Sequence, residues 1–326
     1  MIVLPKDLKI GVLRGGPSPE YEVSLQSGSY VLEKLKETHQ PLDIFISKEG
    51  LWHMNGFERT PDKILKNVDV VFNAMHGVYG EDGQIQDLLS YYGVPYTGSS
   101  KFASAISMNK SMTKDLVNKL GIKTPTYIVI KREDDIKNKA YEAFSNIPHP
   151  LVVKPVSSGS SHGLYLVQSL PELLSTLEAI FSVYSSALVE EYISGKEITC
   201  TVIQDFRDQK EYVTPPVEVL YQKDTPVWTY GLRYAPDTSI IYPTTLFNVE
   251  SRIVEEASRL VHRNMALSHF SRSDFIVSPK RGVYFLEVNT VPGLTKKSLL
   301  PKSLESIGLS FKEFIHHVLS LALSKK

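Results

Sequence analysis

Residues 271–293 read SRSDFIVSPKRGVYFLEVNTVPG, a stretch with two apolar runs and a turn between them. This pattern predicts a β-hairpin. Side chains alternate along a strand, so Glu287 and Asn289 share one face of the second run. If residues 279–282 form a four-residue loop, Ser278 faces Val283 across the hairpin.

The register of this hairpin decides which polar residues meet. Counting back from the loop, Asp274 lies opposite Glu287, and Arg272 lies opposite Asn289. Directly opposed side chains have Cβ atoms about 5 Å apart. Because a slip of one residue would send the polar set to opposite faces, the pairing of Asp274 with Glu287 is a sharp expectation.

Two interpretations fit these polar residues. Two carboxylates and an amide oxygen form an oxygen-rich site for a hard cation such as Mg²⁺, which completes its coordination with water and substrate phosphate. The same residues also fit a solvated hairpin end, in which Arg272 pairs with a carboxylate. The hairpin alone leaves both interpretations open.

The composition is that of an ordinary globular protein. The 326 residues are enough for two or three domains, and 42% of them are hydrophobic. Lys plus Arg and Asp plus Glu both count 36, whereas non-specific binding to nucleic acid needs surplus positive charge. We therefore expect no nucleic-acid partner. Cys200 lies in the apolar run ITCTVI and is predicted to be a small buried residue.

The start of the chain and its apolar runs indicate the compartment. The segment MIVLPKDLKIGVL lacks the pattern of a signal peptide. The apolar runs are too short to span a bilayer. We therefore expect a cytoplasmic protein with no membrane partner.

The first hundred residues show a β-loop-α-β pattern. We predict strands at 9–13, 42–46 and 68–72 and an amphipathic helix at about 22–37. This order favours an open parallel sheet, whose ligands sit beyond the carboxyl ends of its strands. The loops RGGPSPE and HGVYGEDG fall at that edge, and the second contains His76.

The remainder divides into two α+β regions, at 101–189 and 190–326. The first is predicted to open with one helix, Lys101–Leu120, and to contain the strand Leu151–Lys154. The second contains several strands, a polar stretch at 221–243, a helix at 248–266, the hairpin and a C-terminal helix.

A loop of small residues follows Lys154 in the segment PLVVKPVSSGSSHG. Its backbone N–H groups and the hydroxyls of Ser160 and Ser161 suit a phosphate, although the loop matches neither common phosphate-binding motif. A flexible connector has the same composition. Further on, Glu190 and Glu197 suit an adenine amino group or ribose hydroxyls, although the segment taken alone favours surface charge.

Taken in order, these segments resemble the D-alanine–D-alanine ligases of the ATP-grasp superfamily. The resemblance rests on GGPSPEYEVSLQSG (15–28), HGVYGEDGQIQ (76–86), VPYTGSS (94–100), MNK (108–110), VVKPVSSGSSHG (152–163), EEYISGKE (190–197), LRY (232–234), SRSDF (271–275) and LEVNTVPGLTKKSLLP (286–301). It implies an α/β protein with the ATP-grasp fold. An N-terminal domain with an open parallel sheet (1–100) would precede two α+β subdomains that enclose the nucleotide (101–189 and 190–326).

The resemblance also implies roles for individual residues. Nucleotide contacts are expected from Lys110, Lys154, Ser161, Glu190, Glu197 and Arg233. Ligands of two Mg²⁺ ions, with Mn²⁺ as an alternative, are expected to be Asp274, Glu287 and Asn289. Catalytic contributions are expected from Glu20, Ser160, Tyr234, Arg272 and Gly293. Contacts with the amino-acid substrates are expected from His76, Ser298 and Leu299.

The activity implied by the resemblance is ATP-dependent joining of two D-alanine molecules through an acyl phosphate, for peptidoglycan precursor synthesis. Dimers are common in the family. The nearest alternative is a ligase of the same fold that uses D-serine or D-lactate as acceptor; Tyr234 favours an amine acceptor. From other classes, a nucleotide-binding module would not need Arg272, Glu287 or Asn289, and a metal-dependent phosphohydrolase would not need Glu20 or Ser298.

Four residues depart from the family pattern. Arg233 stands where lysine is usual, His162 where the family is more often apolar, Asn109 for a common aspartate and Ser271 for a usual glycine. None of them removes an expected ligand.

Overall fold

A computed structural model describes residues 4–159, 162–220, 239–241 and 244–324 of the chain. The strands are β1 Ile10–Gly15, β2 Leu42–Ile46, β3 Trp52–Met54, β4 Phe57–Glu58, β5 Val70–Asn73, β6 Tyr127–Lys131, β7 Leu151–Pro155, β8 Tyr165–Val167, β9 Ser186–Glu191, β10 Lys196–Phe206, β11 Gln209–Val213, β12 Val217–Leu220, β13 Ser239–Ile241, β14 Phe270–Ser278 and β15 Gly282–Asn289. The helices are α1 Tyr21–Lys36, α2 Pro61–Leu65, α3 Gln84–Tyr91, α4 Lys101–Met108, α5 Lys110–Lys119, α6 Ile136–Asn146, α7 Leu170–Phe181, α8 Asn248–Asn264, α9 Leu299–Ser306 and α10 Phe311–Ser324.

The N-terminal sheet has the strand order β4-β3-β2-β1-β5. Strand β1 runs parallel to both of its neighbours, β2 and β5, as the sequence predicted. Ile10, Val12 and Leu13 of β1 are fully buried, which is usual for a parallel strand covered on both faces. At the end of β1 the chain turns through Gly15 (φ 87°), where a Cβ would lie 2.2 Å from the carbonyl oxygen of Ile46. Only glycine fits this turn into α1.

The central sheet is antiparallel, with the order β6-β9-β7-β8. Its core is formed with α6 and α7, and it contains Val153, Leu173 and Val189. The antiparallel pairing of β7 with β9 places Val152 beside Glu190 and Lys154 beside Leu188. The predicted strand-end lysine and the predicted glutamate therefore belong to neighbouring strands.

The C-terminal sheet has the order β13-β12-β10-β14-β15, and β11 also pairs with β10. Its core contains Val254 and Val261 of α8, Phe275 and Phe285 of the hairpin, and the predicted buried residue Cys200. Burial raises the pKa of the Cys200 thiol to about 12. The expectation of a small buried cysteine is confirmed.

The predicted continuous helix from Lys101 to Leu120 is wrong, because the chain breaks at Asn109. This residue has extended backbone angles (φ −87°, ψ 101°) between α4 and α5. Its side-chain oxygen accepts a hydrogen bond from the backbone N–H of Met112 at 3.1 Å. An N-cap satisfies an otherwise unpaired amide of the first turn, so Asn109 begins a new helix with Lys110 at its first position.

The hairpin confirms the register at its polar end and corrects it at the turn. Asp274 pairs with Glu287 and Arg272 with Asn289, whereas Ser278 pairs with Gly282 and not with Val283. The loop therefore has three residues, and Gly282 follows it in the left-handed region (φ 85°), as is common for such hairpins.

A β-bulge explains why the register is as predicted at the polar end of the hairpin and differs by one residue at the turn. The register shifts between Asp274 and Phe275, which leaves Leu286 without a directly opposed residue. On the core side of β15, Phe285 before the bulge and Val288 after it pack in the same cluster. The extra residue thus keeps Glu287 off the core face, a use of bulges that is frequent near active sites.

The predicted domain limits at 100/101 and 189/190 remain a proposal. Strand β9 of the central sheet extends to Glu191, and Ala103 of α4 packs in the core of the C-terminal sheet. Phe314 of the C-terminal helix packs in one cluster with Ile10 and Phe72 of the N-terminal sheet. Hydrophobic packing therefore interleaves the three sequence segments. Within the described part of the chain, no helix is long and apolar enough to cross a membrane.

Candidate active site

A small cavity of about 20 Å³ lies where the three segments meet. Its lining includes Glu81 of the N-terminal loop, Lys110 and Gly159 of the central segment, and Glu287 and Asn289 of the hairpin. The predicted phosphate loop and the predicted metal ligands are therefore neighbours in the fold.

On the hairpin, Asp274 is held by a dense set of donors. Arg272 donates to both of its oxygens at 2.8 Å, Thr199 Oγ1 donates at 2.7 Å, and Asn289 Nδ2 donates at 3.0 Å. Asp274 and Arg272 are only 3% and 4% exposed. The pairing of Arg272 with a carboxylate is thus present, but the expectation of a solvated hairpin end is wrong.

The charge of Arg272 is stabilised by this pair. Burial opposes its positive charge, but the adjacent Asp274 carboxylate outweighs burial and raises the pKa of Arg272. A buried arginine that donates two parallel hydrogen bonds to one carboxylate keeps a fixed orientation. Its positive charge is therefore held at a fixed position, opposite Asn289 on the hairpin.

Lys110 connects the hairpin to the loop that follows β7. Its Nζ lies 3.2 Å from Oε2 of Glu287 and also donates a short hydrogen bond to the carbonyl oxygen of Ser158. Its backbone N–H donates to Val156 at 3.0 Å. The break at Asn109 thus places a lysine at the junction of two segments.

Glu190 lies between two lysines inside the central region. One of its oxygens contacts Nζ of Lys154, and the other lies 2.9 Å from Nζ of Lys114. Burial alone would raise the pKa of Glu190, but the two ammonium groups hold it below its ordinary value. Burial lowers the pKa of the fully buried Lys114 to about 8.

The sequence predictions did not include Lys114. It follows Lys110 by four residues, so the two lie on the same side of α5. That spacing in MNKSMTK was the available signal.

Glu197 lies on β10, opposite Ile276 of β14. Thr199, two residues further along β10, pairs with Asp274, so alternation places Glu197 on the face that bears the polar hairpin residues. Glu197 is 8% exposed. The fold brings the expected ribose ligand to the same face as the expected metal ligands.

The buried carboxylate of Glu20 lies against two glycines from different segments. A Cβ on Gly77 or on Gly159 would lie 2.6 or 2.3 Å from Oε2 of Glu20. Glycine at both positions allows the loop after β5 and the loop after β7 to approach this carboxylate. Glu20 therefore joins the N-terminal segment to the predicted phosphate loop.

His76 is buried, and both of its ring nitrogens have protein partners. Nδ1 lies 2.8 Å from the carbonyl oxygen of Val291, and Nε2 lies 2.7 Å from Oγ of Ser27. Burial lowers the pKa of His76 and favours the neutral ring. In this structure the predicted substrate-binding histidine contacts the VPG loop of the C-terminal segment.

Glu81 was not among the sequence predictions. It accepts hydrogen bonds from the backbone N–H groups of Gly77 at 2.8 Å and Val291 at 2.9 Å. Burial, and after it the charge of Glu20, raises the pKa of Glu81 to about 8. The position of this glutamate in the glycine-rich loop was visible in the sequence, but its contact with Val291 was not.

The end of the opening motif lies beside the start of α9. A Cβ on Gly293 would lie 2.8 Å from Oγ of Ser298. The Ser298 hydroxyl contacts Thr295 Oγ1 at 2.8 Å and accepts from the Thr295 N–H at 3.1 Å. Helix α9 begins at the next residue, Leu299, so the three predicted residues Gly293, Ser298 and Leu299 are adjacent.

Family models match almost the whole chain in two parts. The model described as D-ala D-ala ligase N-terminus matches residues 9–64 and 54–99, and the model described as D-ala D-ala ligase C-terminus matches residues 116–320. The chain belongs to the D-Ala–D-Ala ligase family. The protein is therefore an enzyme of the ligase class, and its three sheets form the ATP-grasp fold of that family.

Individual relatives support the same family assignment. The D-alanine–D-alanine ligase of Aquifex aeolicus is 36% identical over 315 residues, which cover 96% of this chain and 100% of the relative. That of Moorella thermoacetica is 36% identical over 97% of this chain and 99% of its own.

Solved structures of similar proteins include two ligases that are named for different products. The D-alanyl-alanine synthetase A from Vibrio cholerae superposes with a TM-score of 0.86 at 27% identity, covering 99% of this chain and 100% of that one. The VanG D-Ala:D-Ser ligase from Enterococcus faecalis superposes with a TM-score of 0.82 at 30% identity, covering 97% of this chain and 99% of that one.

Two departures from the ligase family pattern have a structural explanation. Asn109 caps α5, a role in which asparagine and aspartate are about equally good. Ser271 Oγ lies 2.8 Å from Nδ1 of His262, so it ties β14 to α8. The predicted residues Ser160, Ser161, Arg233 and Tyr234 lie outside the described residues.

The donor set of the hairpin fits the metal that the ligase family implies. Among the residues with described positions, no group of three or more His, Cys, Asp or Glu side chains is arranged to hold a metal. Asp274, Glu287 and Asn289 offer two carboxylates and one carboxamide. A set this small suits Mg²⁺, which keeps part of its coordination for water and phosphate oxygens.

Proposed function

We propose that the protein joins two D-alanine molecules into D-alanyl-D-alanine at the expense of ATP. The match of the D-Ala–D-Ala ligase family models over almost the whole chain carries this proposal. The dipeptide is a precursor of peptidoglycan, so the proposed role is in cell-wall biogenesis and cell shape. We further propose a cytoplasmic enzyme that acts as a homodimer.

In the first step, a carboxylate oxygen of one D-alanine attacks the γ-phosphorus of ATP. A phosphorus–oxygen bond forms, the bond to the β-phosphate breaks, and ADP leaves. Lys110 and Lys154 would hold the phosphates, with Ser161 and Arg233 as further contacts. The acyl phosphate gives the substrate carbonyl a good leaving group, which a free carboxylate lacks.

The rest of the nucleotide would contact the buried glutamates. Glu190 would meet the adenine amino group and Glu197 the ribose hydroxyls. Each oxygen of a carboxylate can accept about two hydrogen bonds, so the lysine partners of Glu190 leave room for a ligand donor. The supporting observations are that both glutamates are buried and that Glu190 lies on the strand paired with the one that carries Lys154.

Asp274, Glu287 and Asn289 would hold two Mg²⁺ ions, with Mn²⁺ as an alternative. When bound, these ions neutralise the phosphate charge during transfer. The protein contributes the orientation of the ligands, since Arg272 and Thr199 fix the carboxylate of Asp274.

In the second step, the amine of the second D-alanine attacks the carbonyl carbon of the acyl phosphate. A carbon–nitrogen bond forms, and a negatively charged oxygen develops. The buried charge of Arg272 and the backbone N–H of Gly293 would stabilise that oxygen. The carbon–oxygen bond to phosphate then breaks, inorganic phosphate leaves, and the amine gives up a proton.

The two amino acids would be held from different segments. Glu20 would bind the ammonium group of the first, with His76 nearby and with Ser160 and Tyr234 in one hydrogen-bonded network. Ser298 and the backbone of Leu299 would bind the carboxylate of the second. Closure of the segment around Tyr234 would protect the acyl phosphate from water.

A related ligase with D-serine or D-lactate as acceptor is the second candidate. The structural likeness to the VanG D-Ala:D-Ser ligase is close to that of the D-alanyl-alanine synthetase, so the backbone fold does not separate them. Curated relatives named D-alanine–D-alanine ligase favour D-alanine.

The decisive experiment measures ADP release from ATP on addition of D-alanine, with and without Mg²⁺, and the mass of the product. We expect D-alanine-dependent ADP and a product of the mass of D-alanyl-D-alanine. Parallel reactions with D-serine or D-lactate as second substrate measure acceptor choice. No D-alanine-dependent turnover would reject the proposal.

A further inference from the structure

The loop that carries Gly293 is held on both sides by side chains from the N-terminal segment. The Val291 N–H donates to Oε1 of Glu81 at 2.9 Å, and the Val291 carbonyl accepts from Nδ1 of His76 at 2.8 Å. On the other side of Gly293, the Leu294 N–H donates to Oγ of Ser27 at 3.3 Å. The C-terminal segment supplies Gly293, but the N-terminal segment fixes its backbone.

Ser27 and His76 form one directional relay. A carbonyl oxygen only accepts, so Nδ1 of His76 carries the proton that bonds Val291. In the neutral ring, Nε2 is then an acceptor, and the hydroxyl of Ser27 donates to it at 2.7 Å. The same hydroxyl oxygen accepts from Leu294. The hydrogen bonds are thus donated in one direction: the Leu294 N–H donates to Ser27, Ser27 donates to His76, and His76 donates to the Val291 carbonyl. This relay of hydrogen bonds begins and ends on the loop.

The relay is preorganised by α1. The hydroxyl of Ser24, one helical turn before Ser27, accepts from the backbone N–H of His76 at 2.9 Å and donates to the Glu20 carbonyl at 3.1 Å. Ser24 and Ser27 are both fully buried. The two serines therefore hold the backbone and the ring of His76.

The hydroxyl of Ser27 is used differently from that of a typical buried helical serine. Ser258, also fully buried, donates to the carbonyl of Val254 within its own helix at 2.8 Å. That local bond is the common choice in helices. Ser27 instead bonds a ring and an amide from two other parts of the fold.

We propose that Ser27 is a positioning residue that sets, through His76, the place of the Gly293 N–H relative to the reacting carbonyl. This inference rests on the proposed role of Gly293 in the second step. Loss of the Ser27 hydroxyl leaves Nε2 of His76 and the Leu294 N–H without this partner and frees the loop to shift. A misplacement of about 1 Å at a reacting centre can cost on the order of a hundredfold in rate.

The test compares Ser27→Ala with Ser258→Ala, the same substitution at an equally buried helical serine. We expect Ser27→Ala to lower kcat by roughly 10- to 100-fold, with the KM for ATP within about twofold. Ser258→Ala should keep the wild-type kcat. Ser27→Thr, which retains the hydroxyl, should recover most of the rate and serves as the working variant if Ser27→Ala does not fold.

A second readout does not depend on activity. In ¹⁵N-histidine NMR of the full chain, we expect His76 as the Nδ1–H tautomer, with Nε2 hydrogen-bonded in wild type and in Ser27→Thr. Ser27→Ala should shift the Nε2 signal toward that of an unbonded nitrogen; His76→Gln identifies the signal. A wild-type Nε2–H tautomer would overturn the relay.

Two kinetic outcomes would overturn the proposal in an active enzyme. One is a kcat of Ser27→Ala within about twofold of wild type, and the other is an equal loss in Ser258→Ala. Failure of the proposed function would look different: wild type itself would form no dipeptide, while the histidine signals would still report the relay.

Discussion

Two charged clusters meet at the candidate active site, and they are built in opposite ways. The lysine cluster consists of Lys114, Lys154 and Glu190, so two cations face one carboxylate. The hairpin cluster consists of Arg272, Asp274, Glu287 and Asn289, so two carboxylates face one cation. One cluster suits a phosphate, and the other suits a metal ion. Mg²⁺-bound ATP would complement both.

The clusters also differ in the kind of cation. Lysine is a compact charge on a flexible stem, so Lys154 can exchange a carboxylate for a phosphate oxygen without a change in the fold. Arginine presents a rigid fork, and both of its contacts with Asp274 are already made at 2.8 Å. We therefore expect the lysine cluster to adjust when a phosphate binds and the hairpin cluster to keep its geometry.

The largest effect is expected for Glu287→Gln in the hairpin cluster. The variant keeps the shape of the side chain but loses the charge of a proposed metal ligand, so we expect turnover to fall by roughly a thousandfold or more, with an unchanged circular dichroism spectrum. Glu211→Gln is the control, since Glu211 is also a partly shielded glutamate with a cationic partner, Arg263, at 2.7 Å. Near-wild-type turnover of Glu287→Gln would reject the metal assignment.

Exchanging the cation types tests the contrast between fixed and adjustable clusters. Arg272→Lys cannot contact both oxygens of Asp274, so kcat should fall by roughly a hundredfold. Lys154→Arg keeps a charge near the phosphates and should mainly raise the KM for ATP, by roughly tenfold, as measured by steady-state kinetics. Equal losses of kcat in the two variants would break the distinction.

A smaller effect concerns the pH dependence of stability in the lysine cluster. The pKa of Lys114 is lowered from 10.5 to about 8 in the folded protein. Between these values the unfolded chain binds more protons than the folded one, so this lysine makes the free energy of unfolding rise with pH. Lys114→Met should remove a slope of up to about 1.4 kcal/mol per pH unit.

Urea denaturation at pH 8 and pH 10 measures that slope. The control is Lys139→Met on α6, where an exposed lysine pairs with Glu142; it should keep the wild-type slope over this range. If Lys114→Met and wild type run parallel between pH 8 and pH 10, the burial of a charged lysine beside Glu190 is not what distinguishes this cluster.

The smallest effect is expected at the residue that places Lys110 between the clusters. Asn109→Asp retains an N-cap acceptor and should change the free energy of unfolding by less than about 0.5 kcal/mol, whereas Asn109→Ala should cost about 1 kcal/mol. Thermal unfolding of the two variants measures the difference. An aspartate variant as unstable as the alanine variant would show that the capping bond to Met112 is not the reason for the break.

Predictions that depended on short-range patterns were confirmed where the pattern was unbroken. The parallel strands around β1 and the pairing of Asp274 with Glu287 follow from apolar runs and alternation. The turn at Gly282 was wrong by one residue, because a glycine able to adopt a positive φ shortens the loop. The bulge at Leu286 has no local signature, since leucine fits a regular strand equally well.

Candidate site residues were predicted where residue type and motif suggest a role, and were not predicted where only long-range contacts give a residue its partners. Lys154, Glu190 and Asn289 stand in motifs that resemble a known family. Ser27 is an ordinary helical serine in the sequence, and its contacts with His76 and Leu294 exist only because α1 packs beside two distant loops.

The sequence by itself determined the family, most of the local elements and the chemical groups available for catalysis, because these depend on residue type and spacing along the chain. Only the tertiary structure decided which groups from distant segments are partners. Lys114 meets Glu190, Lys110 meets Glu287, and Glu81 meets Val291 across long separations in the sequence. Charge pairing and hydrogen bonding act over a few ångströms, and such distances are set by how the sheets and helices pack.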